Sequence, residues 1–269
     1  DRHEEIEKET AQNYYMLGIQ ITTSKGNRLI LKSKKAKFKT KEEAEMFAKE
    51  IPAIHQVEIT EKYESSIAEG PHSSASIEKA AESEYKYSRV KTHLILGQLF
   101  AEGYISSANT RARTFPENAT DQMSAAFRKL CAMRVFKDYL QDKTLDDIPS
   151  SFFSTKNESG ILVTKKVPDA SVTVESRNIY YLICKEIVKT LLGEKIIKKR
   201  KTCIDISGYI FSAVGSEIVQ KGYSVLDKPS PLRNDIPQEL RNGDEVKVEY
   251  IIESKMKNLP QYRKEEDII

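Results

Sequence analysis

Cysteine, histidine and long apolar runs are all scarce in this sequence, and each shortage removes a class of protein. The 3 cysteines, Cys131, Cys184 and Cys203, are widely spaced and odd in number. They fit neither a disulfide framework nor a paired-thiol metal site, and they read as buried thiols. The 4 histidines, His3, His55, His72 and His93, share no ligand spacing. A metal site needs several such ligands converging, so none is expected. His72 is expected in a loop and His93 in helix packing. No stretch approaches the ~18 consecutive apolar residues that would cross a bilayer. The first residues, DRHEEIEKET, are polar and mixed in charge, unlike a signal peptide. A soluble, cytoplasmic chain without a membrane partner is expected. A dominant charge is also missing: 43 basic against 40 acidic side chains leave a net of +3. Any affinity for nucleic acid must therefore come from how charge is distributed.

The 269 residues, 39% hydrophobic, are enough for one large domain or two ordinary ones around a buried core. Residues 14 to 39 hold two β-rich runs split by Ser-Lys-Gly-Asn, which predicts a hairpin. In TKEEAEMFAKEI, Thr40 is the expected N-cap of a short helix whose apolar face carries Ala44, Phe47, Ala48 and Ile51. HQVEITEKYES alternates as a further strand. The turn-rich EGPHSS at 69 to 74 is a domain boundary, after which the period lengthens. Helices are expected at about 75 to 84, 88 to 102, 119 to 140 and 176 to 192, with a loop at about 141 to 158. The 119 to 140 helix is expected to carry Met123, Phe127, Leu130, Val135 and Phe136. From Thr202 the β period returns, broken by a Pro-rich loop at 229 to 237 and resumed in DEVKVEYIIES. There is no internal repeat and no low-complexity segment. The plan is multi-domain α+β: a β-rich arch interrupted by an inserted, mainly helical domain.

Charge is uneven along this plan. Between Thr10 and Lys41 there is no acidic residue, while Lys25, Arg28, Lys32, Lys34, Lys35, Lys37, Lys39 and Lys41 are all basic. Much of this row keeps strand spacing, so part of it should emerge on one face, placed to meet phosphates. A second cluster, Lys195, Lys198, Lys199, Arg200 and Lys201, stands where the chain returns from the helical block. Either cluster could also be a solvated, Lys-rich sheet edge.

The order of segments resembles the central gate region of type IA DNA topoisomerases, of the bacterial topoisomerase I and III kind. SIEKAAESEYKYSRVKTHLILGQLFAEGYIS is similar to the two helices leading to that family's Ala-Gly-Tyr/Leu-Ile-Thr-Tyr-x-Arg-Thr-Asp-Ser motif, matched here by Glu102, Gly103, Tyr104, Ile105 and Ser106, with Thr110 in the place of the motif threonine. SRNIYYLICKEIVKTLLG resembles its following helix, and KKRKTCIDISGYIFSAVGSEIVQKGYSVL its strand pair. RNGDEVKVEYIIESKMKNLPQYRKEEDII resembles its exit strand and return segment. The resemblance covers almost the whole chain and rests on order and spacing. It implies a helical lead-in at 1 to 14, the arch at 15 to 66 plus 198 to 256, a winged-helix-like insertion at 67 to 197, and a segment at 257 to 269 returning to the family's catalytic base. The family's metal-binding acidic half has no counterpart, because no Asp-x-Asp pattern lies in a suitable strand. As the chain begins at Asp1, it is either a fragment of a longer protein or a protein lacking that half.

The motif itself departs from the family. Ser107 occupies the place of the nucleophilic tyrosine, Ala108 follows, Asn109 replaces the arginine that holds the scissile phosphate, and Arg111 and Ala112 replace Asp-Ser. The family's catalytic histidine should fall within 160 to 176, where there is none. A tyrosine phenolate leaves readily enough for the phosphotyrosine bond to be reversed, whereas serine needs a strong base or dense cationic support. Strand cleavage through Ser107, or through Tyr104 in its non-catalytic slot, is therefore not expected. The resemblance implies a catalytically inactive DNA-binding fragment or homologue, with DNA, single-stranded by preference, as partner. Its expected contacts are Asn109, Thr110, Arg111, Arg113, Lys32, Lys34, Lys37, Lys199 and Arg200. No cofactor is expected in this segment, and Mg2+ only with a metal-binding half in a longer parent. The alternative is a protein-interaction or architectural module that kept the fold without cleaving DNA.

Overall fold

A computed structural model describes residues 13 to 117, 120 to 156, 158 to 229, 232 and 236 to 256. Strand β1 (Asn13–Thr22) turns through Gly26, at φ +83, into β2 (Arg28–Phe38), and the two pair antiparallel. The helical lead-in expected at 1 to 14 lies outside the described residues except for Asn13 and Tyr14, which open β1. Helix α1 (Lys41–Glu50) starts in a capping box: the Thr40 hydroxyl accepts from the Glu43 N–H at 3.2 Å, and the Glu43 carboxylate accepts from the Thr40 N–H at 3.4 Å. Strands β3 (Ile54–Gln56) and β4 (Glu58–Ser66) follow as one extended run kinked at Val57.

Helices α2 (Ser74–Tyr85) and α3 (Arg89–Ala101) are N-capped by Ser73 and Ser88, whose hydroxyls accept from N–H groups three residues on. The short strands β5 (Phe115–Pro116) and β6 (Phe153–Ser154) pair in parallel. Between them lie α4 (Thr120–Ala132) and the single-turn α5 (Lys137–Leu140). The continuous helix expected over 119 to 140 is thus broken. Tight turns bond Met133 to Leu130 and Phe136 to Met133, rotating Phe136 fully into the core, where it stacks on Tyr181 with centroids 5.5 Å apart. Val135, expected on the apolar stripe, is turned to solvent. Helix α6 (Val174–Lys189) is followed by β7 (Lys195–Ile206), β8 (Tyr209–Gln220) and β9 (Glu245–Met256).

The chain divides into two compact units. Among the described residues, the first comprises 13 to 63, 198 to 217, 232 and 236 to 256. The larger sheet runs β3-β9-β1-β2-β8-β7-β4. Because β3 and β4 are consecutive in the chain yet stand at opposite ends of this order, the sheet curls back toward itself. Val57 marks the kink, donating its N–H to the Asp244 carbonyl at 3.0 Å and accepting from the Gly243 N–H at 2.8 Å. Curling shields edge groups that would otherwise template another strand. The core of this unit holds Leu17, Ile19, Ile21, Leu31, Phe211 and Val248, with Ala48 of α1 packed against it.

The second unit comprises 64 to 197 and 218 to 230. Residues 218 to 230, assigned from sequence to the arch, belong with this helical unit. Its core joins Ile77 and Ala81 of α2, Ile95, Leu96 and Leu99 of α3, Leu130 of α4 and Ile179, Ile183, Ile187 and Val188 of α6. The β-rich plan interrupted by a helical block is therefore present as a mixed fold with a curled antiparallel sheet and, among the described residues, six helices.

Candidate functional site

The loop that carries Ser107 is built from the end of α3 outward. Gly103, at φ +78, is the left-handed residue that ends the helix. Its N–H bonds the Phe100 carbonyl at 2.9 Å and the Tyr104 N–H bonds the Leu99 carbonyl at 2.9 Å, the pairing of a Schellman cap. The chain then runs extended against residues 161 to 164. The Ser106 N–H donates to the Leu162 carbonyl at 2.8 Å, the Thr164 N–H donates to the Tyr104 carbonyl at 3.0 Å, and Ile105 bridges Val163 antiparallel. The segment in which the family's histidine was sought thus lies beside the loop, and what it supplies there is Thr164 and Lys166. The Thr164 hydroxyl donates to the Gly103 carbonyl at 2.7 Å. The Lys166 ammonium donates to the Glu102 carbonyl at 2.8 Å and sits 4.2 Å from the centre of the Tyr104 ring.

Beyond this strand pair the Ser107 hydroxyl closes on its own loop. It donates to the Asn109 carbonyl at 3.0 Å and accepts from the Asn109 N–H at 3.1 Å. This is the local hydroxyl turn that serine forms in preference to regular structure. Asn109 and Thr110 are fastened to Ser74, the first residue of α2. The Ser74 hydroxyl donates to Asn109 Oδ1 at 3.2 Å and accepts from the Thr110 N–H at 2.8 Å, and the Ser74 N–H donates to the Thr110 carbonyl at 2.9 Å. The Thr110 hydroxyl bonds the Ser159 carbonyl at 2.8 Å. Sequence reading named Ser106, Asn109 and Thr110 but missed Ser74, Thr164 and Lys166. The only local signal for Ser74 was its place in the capping run SSAS.

Arg111 is exposed and makes no hydrogen bond or ion pair among the described residues. Arg113 is spent within its own unit. Its guanidinium pairs with the Glu69 carboxylate and reaches the Pro71 and Gly70 carbonyls at 3.4 and 3.5 Å. Gly70 is required there, because it has φ +89 and a Cβ would run into the Arg113 carbonyl. His72 lies, as expected, in the loop before α2, and it is fixed there by an isolated bridge to Ile161. Its carbonyl accepts from the Ile161 N–H at 2.7 Å, and its buried ring places Nδ1 2.9 Å from the Ser76 hydroxyl. Burial, and then Arg113, Lys189 and Lys185, lower its pKa to about 3, so it is neutral at pH 7. His93, expected in helix packing, is exposed on α3. No base is bonded to Ser107 among the described residues.

The remaining named residues lie in the first unit. Burial alternates along β2 from Arg28 to Lys34, then shifts: Lys34 and Lys35 are both exposed and Ala36 is buried. A register irregularity accounts for this, since Met16 faces Lys37 but Gly18 faces Lys32, leaving Leu17 alone opposite Ser33 to Ala36. The irregularity keeps Lys32, Lys34, Lys35 and Lys37 all exposed. Lys32 is paired with Glu253 at 2.9 Å, and Lys37 lies 5.2 Å from the centre of the Tyr14 ring.

The 195 to 201 cluster has another fate. Lys198 pairs with Glu61 at 2.9 Å. Arg200 donates to the Pro237 carbonyl at 3.0 Å and to the Leu240 carbonyl, with Nε 3.4 Å from Glu61. It ties the 237 to 240 segment to β7. Lys199 is half-buried on the same strand. The described residues contain no group of three or more His, Cys, Asp or Glu placed to hold a metal ion. No described helix is long and apolar enough to cross a membrane.

A curled β unit interrupted by a helical unit, with a Schellman-capped helix delivering a Gly-Tyr-Ile-Ser loop beside a second short strand, defines a class. The family model described as DNA topoisomerase matches residues 1 to 269, and the chain belongs to the type IA DNA topoisomerase family. Full-length topoisomerase I from Thermotoga maritima, in a monoclinic crystal form, aligns with a TM-score of 0.62 at 18% identity. The alignment covers 97% of this chain and 44% of that one, so the chain spans less than half the length of that topoisomerase. At this identity the likeness is one of fold. A search of curated proteins finds no match.

Proposed function

We propose that this chain is a DNA-holding member of the type IA topoisomerase family that binds single-stranded DNA through its backbone and does not cleave it by itself. The observation that carries the reading is the outward lysine row of β2. Of the side chains of Arg28, Lys32, Lys34, Lys35 and Lys37 on β2 and Lys39 just after it, all exposed, only that of Lys32 pairs with a carboxylate among the described residues. Cations without acidic partners are free to displace the counterions of a phosphate backbone. Arg111 adds an exposed charge in the other unit, where the family motif has an aspartate. Arg113 and Arg200, each bonded to carbonyls and a carboxylate of its own unit, are left out of this contact set. Cleavage is set aside because Ser107 closes a turn with Asn109, Asn109 supplies no cation, and His72 is neutral and bonded to Ser76. A nucleophile needs its activating partners as a set.

One observation favours protein interaction as a second reading: Val90, Leu94 and Phe100 stand 70%, 64% and 50% exposed along α3. A fluorescent single-stranded oligonucleotide titrated across a range of salt separates the two. The DNA reading expects affinity to fall steeply with salt, and triple replacement of Lys34, Lys35 and Lys37 by Ala to reduce the salt slope by about 2 to 3 phosphates. Absent or salt-independent binding would sink it in favour of the second reading.

A further inference from the structure

The helical unit contains a cavity of about 530 Å3 beside the strand pair that carries the Ser107 loop. Phe115, Leu130, Ile148, Val163 and Leu191, all buried, form much of its wall, with Met123 and Ala126 of α4. Protein interiors are ordinarily filled, and apolar walls facing empty space forfeit their contacts. The volume lies in the range of small-molecule sites, which combine an apolar lining with a few placed polar groups.

Three polar residues complete the lining: Ser106, Thr164 and Lys165. The Thr164 hydroxyl is committed, donating to the Gly103 carbonyl at 2.7 Å and accepting from the Lys166 N–H at 3.0 Å. The Ser106 hydroxyl accepts from the Leu162 N–H at 3.0 Å and so keeps its own proton for another partner. Lys165 is exposed and has no ion pair among the described residues. No acidic side chain lines the cavity. An apolar chamber with one unpaired cation and one spare hydroxyl donor suits an apolar body carrying an anionic head. It disfavours cations, and it disfavours nucleic acid, whose charge would face the apolar wall.

We propose that this cavity binds a fatty carboxylate, its tail among Phe115, Leu130, Ile148 and Leu191 and its head on Lys165 and Ser106. The inference is independent of DNA binding. Isothermal titration of the chain with decanoate at neutral pH tests it. Saturable one-to-one binding is expected, weakened about tenfold or more by Lys165→Glu and by replacing decanoate with the uncharged decanol, as loss of a charge-assisted contact requires. Ala126→Phe, which fills the chamber, is expected to abolish binding while circular dichroism stays unchanged. If that variant fails to fold, Ala125→Leu at another lining position takes its place. No binding to the unaltered chain overturns the proposal. So does binding that the filling variant leaves intact, or that Lys165→Glu and decanol change by less than twofold.

Discussion

Gly70 and His72 set the geometry next to the Ser107 loop, and each makes a measurable demand. Gly70 combines a left-handed backbone with close approach to the Arg113 carbonyl and the Phe152 ring. Gly70→Ala should destabilise the helical unit by about 1 to 3 kcal/mol, read as a lowered urea midpoint at unchanged slope. His72 is held neutral down to about pH 3, whereas the unfolded chain takes up its proton near 6.5. As pH falls below 6.5, the unfolded state therefore binds the extra proton. Stability is lost by up to about 1.4 kcal/mol per pH unit until the folded ring titrates. The melting temperature of the unaltered chain should fall more between pH 6.5 and 4 than that of His72→Gln, and equal slopes would contradict this. At this scale the sequence was only partly legible. Spacing named Ser107, Asn109 and Arg111 as neighbours on one loop, and the loop does hold them together. That Ser74 would hold Asn109 and Thr110 could not be read, because 35 residues separate Ser74 from Asn109 and only the fold brings them together.

The two basic clusters looked alike along the chain and behave differently as elements. On β2 the lysines have no acid among their sequence neighbours, and the irregularity opposite Leu17 turns them outward. On β7 the cations meet Glu61 from β4, a partner far away in sequence, and Arg200 is used on carbonyls of the 237 to 240 segment. Arg200→Lys should lower the stability of the β-rich unit by about 1 to 3 kcal/mol, since an ammonium cannot reproduce the fork that reaches two carbonyls at once. It should leave oligonucleotide affinity within twofold, a contrast with the β2 lysines that paired melts and binding curves would check. The break between α4 and α5 was illegible for a related reason. No Pro or Gly marks it, and burial of Phe136 against Tyr181 outweighs continuation of the helix.

Across the whole molecule, the interruption of a β-rich unit by a helical one was readable because the hydrophobic period changes at 69 to 74 and changes back from Thr202. The return of residues 218 to 230 to the helical unit was not, because their β period resembles that of the strands before them. On the proposed reading, the chain keeps the architecture around the family's nucleophile position and lacks the tyrosine, the motif arginine and the histidine together. The most direct test is covalent capture on a denaturing gel, with the chain incubated with labelled single-stranded DNA and Mg2+. No protein-DNA adduct should form, either with the unaltered chain or with Ser107→Tyr, whose phenol would still lack a cation at Asn109. An adduct formed by the unaltered chain and lost in Ser107→Ala would contradict the account.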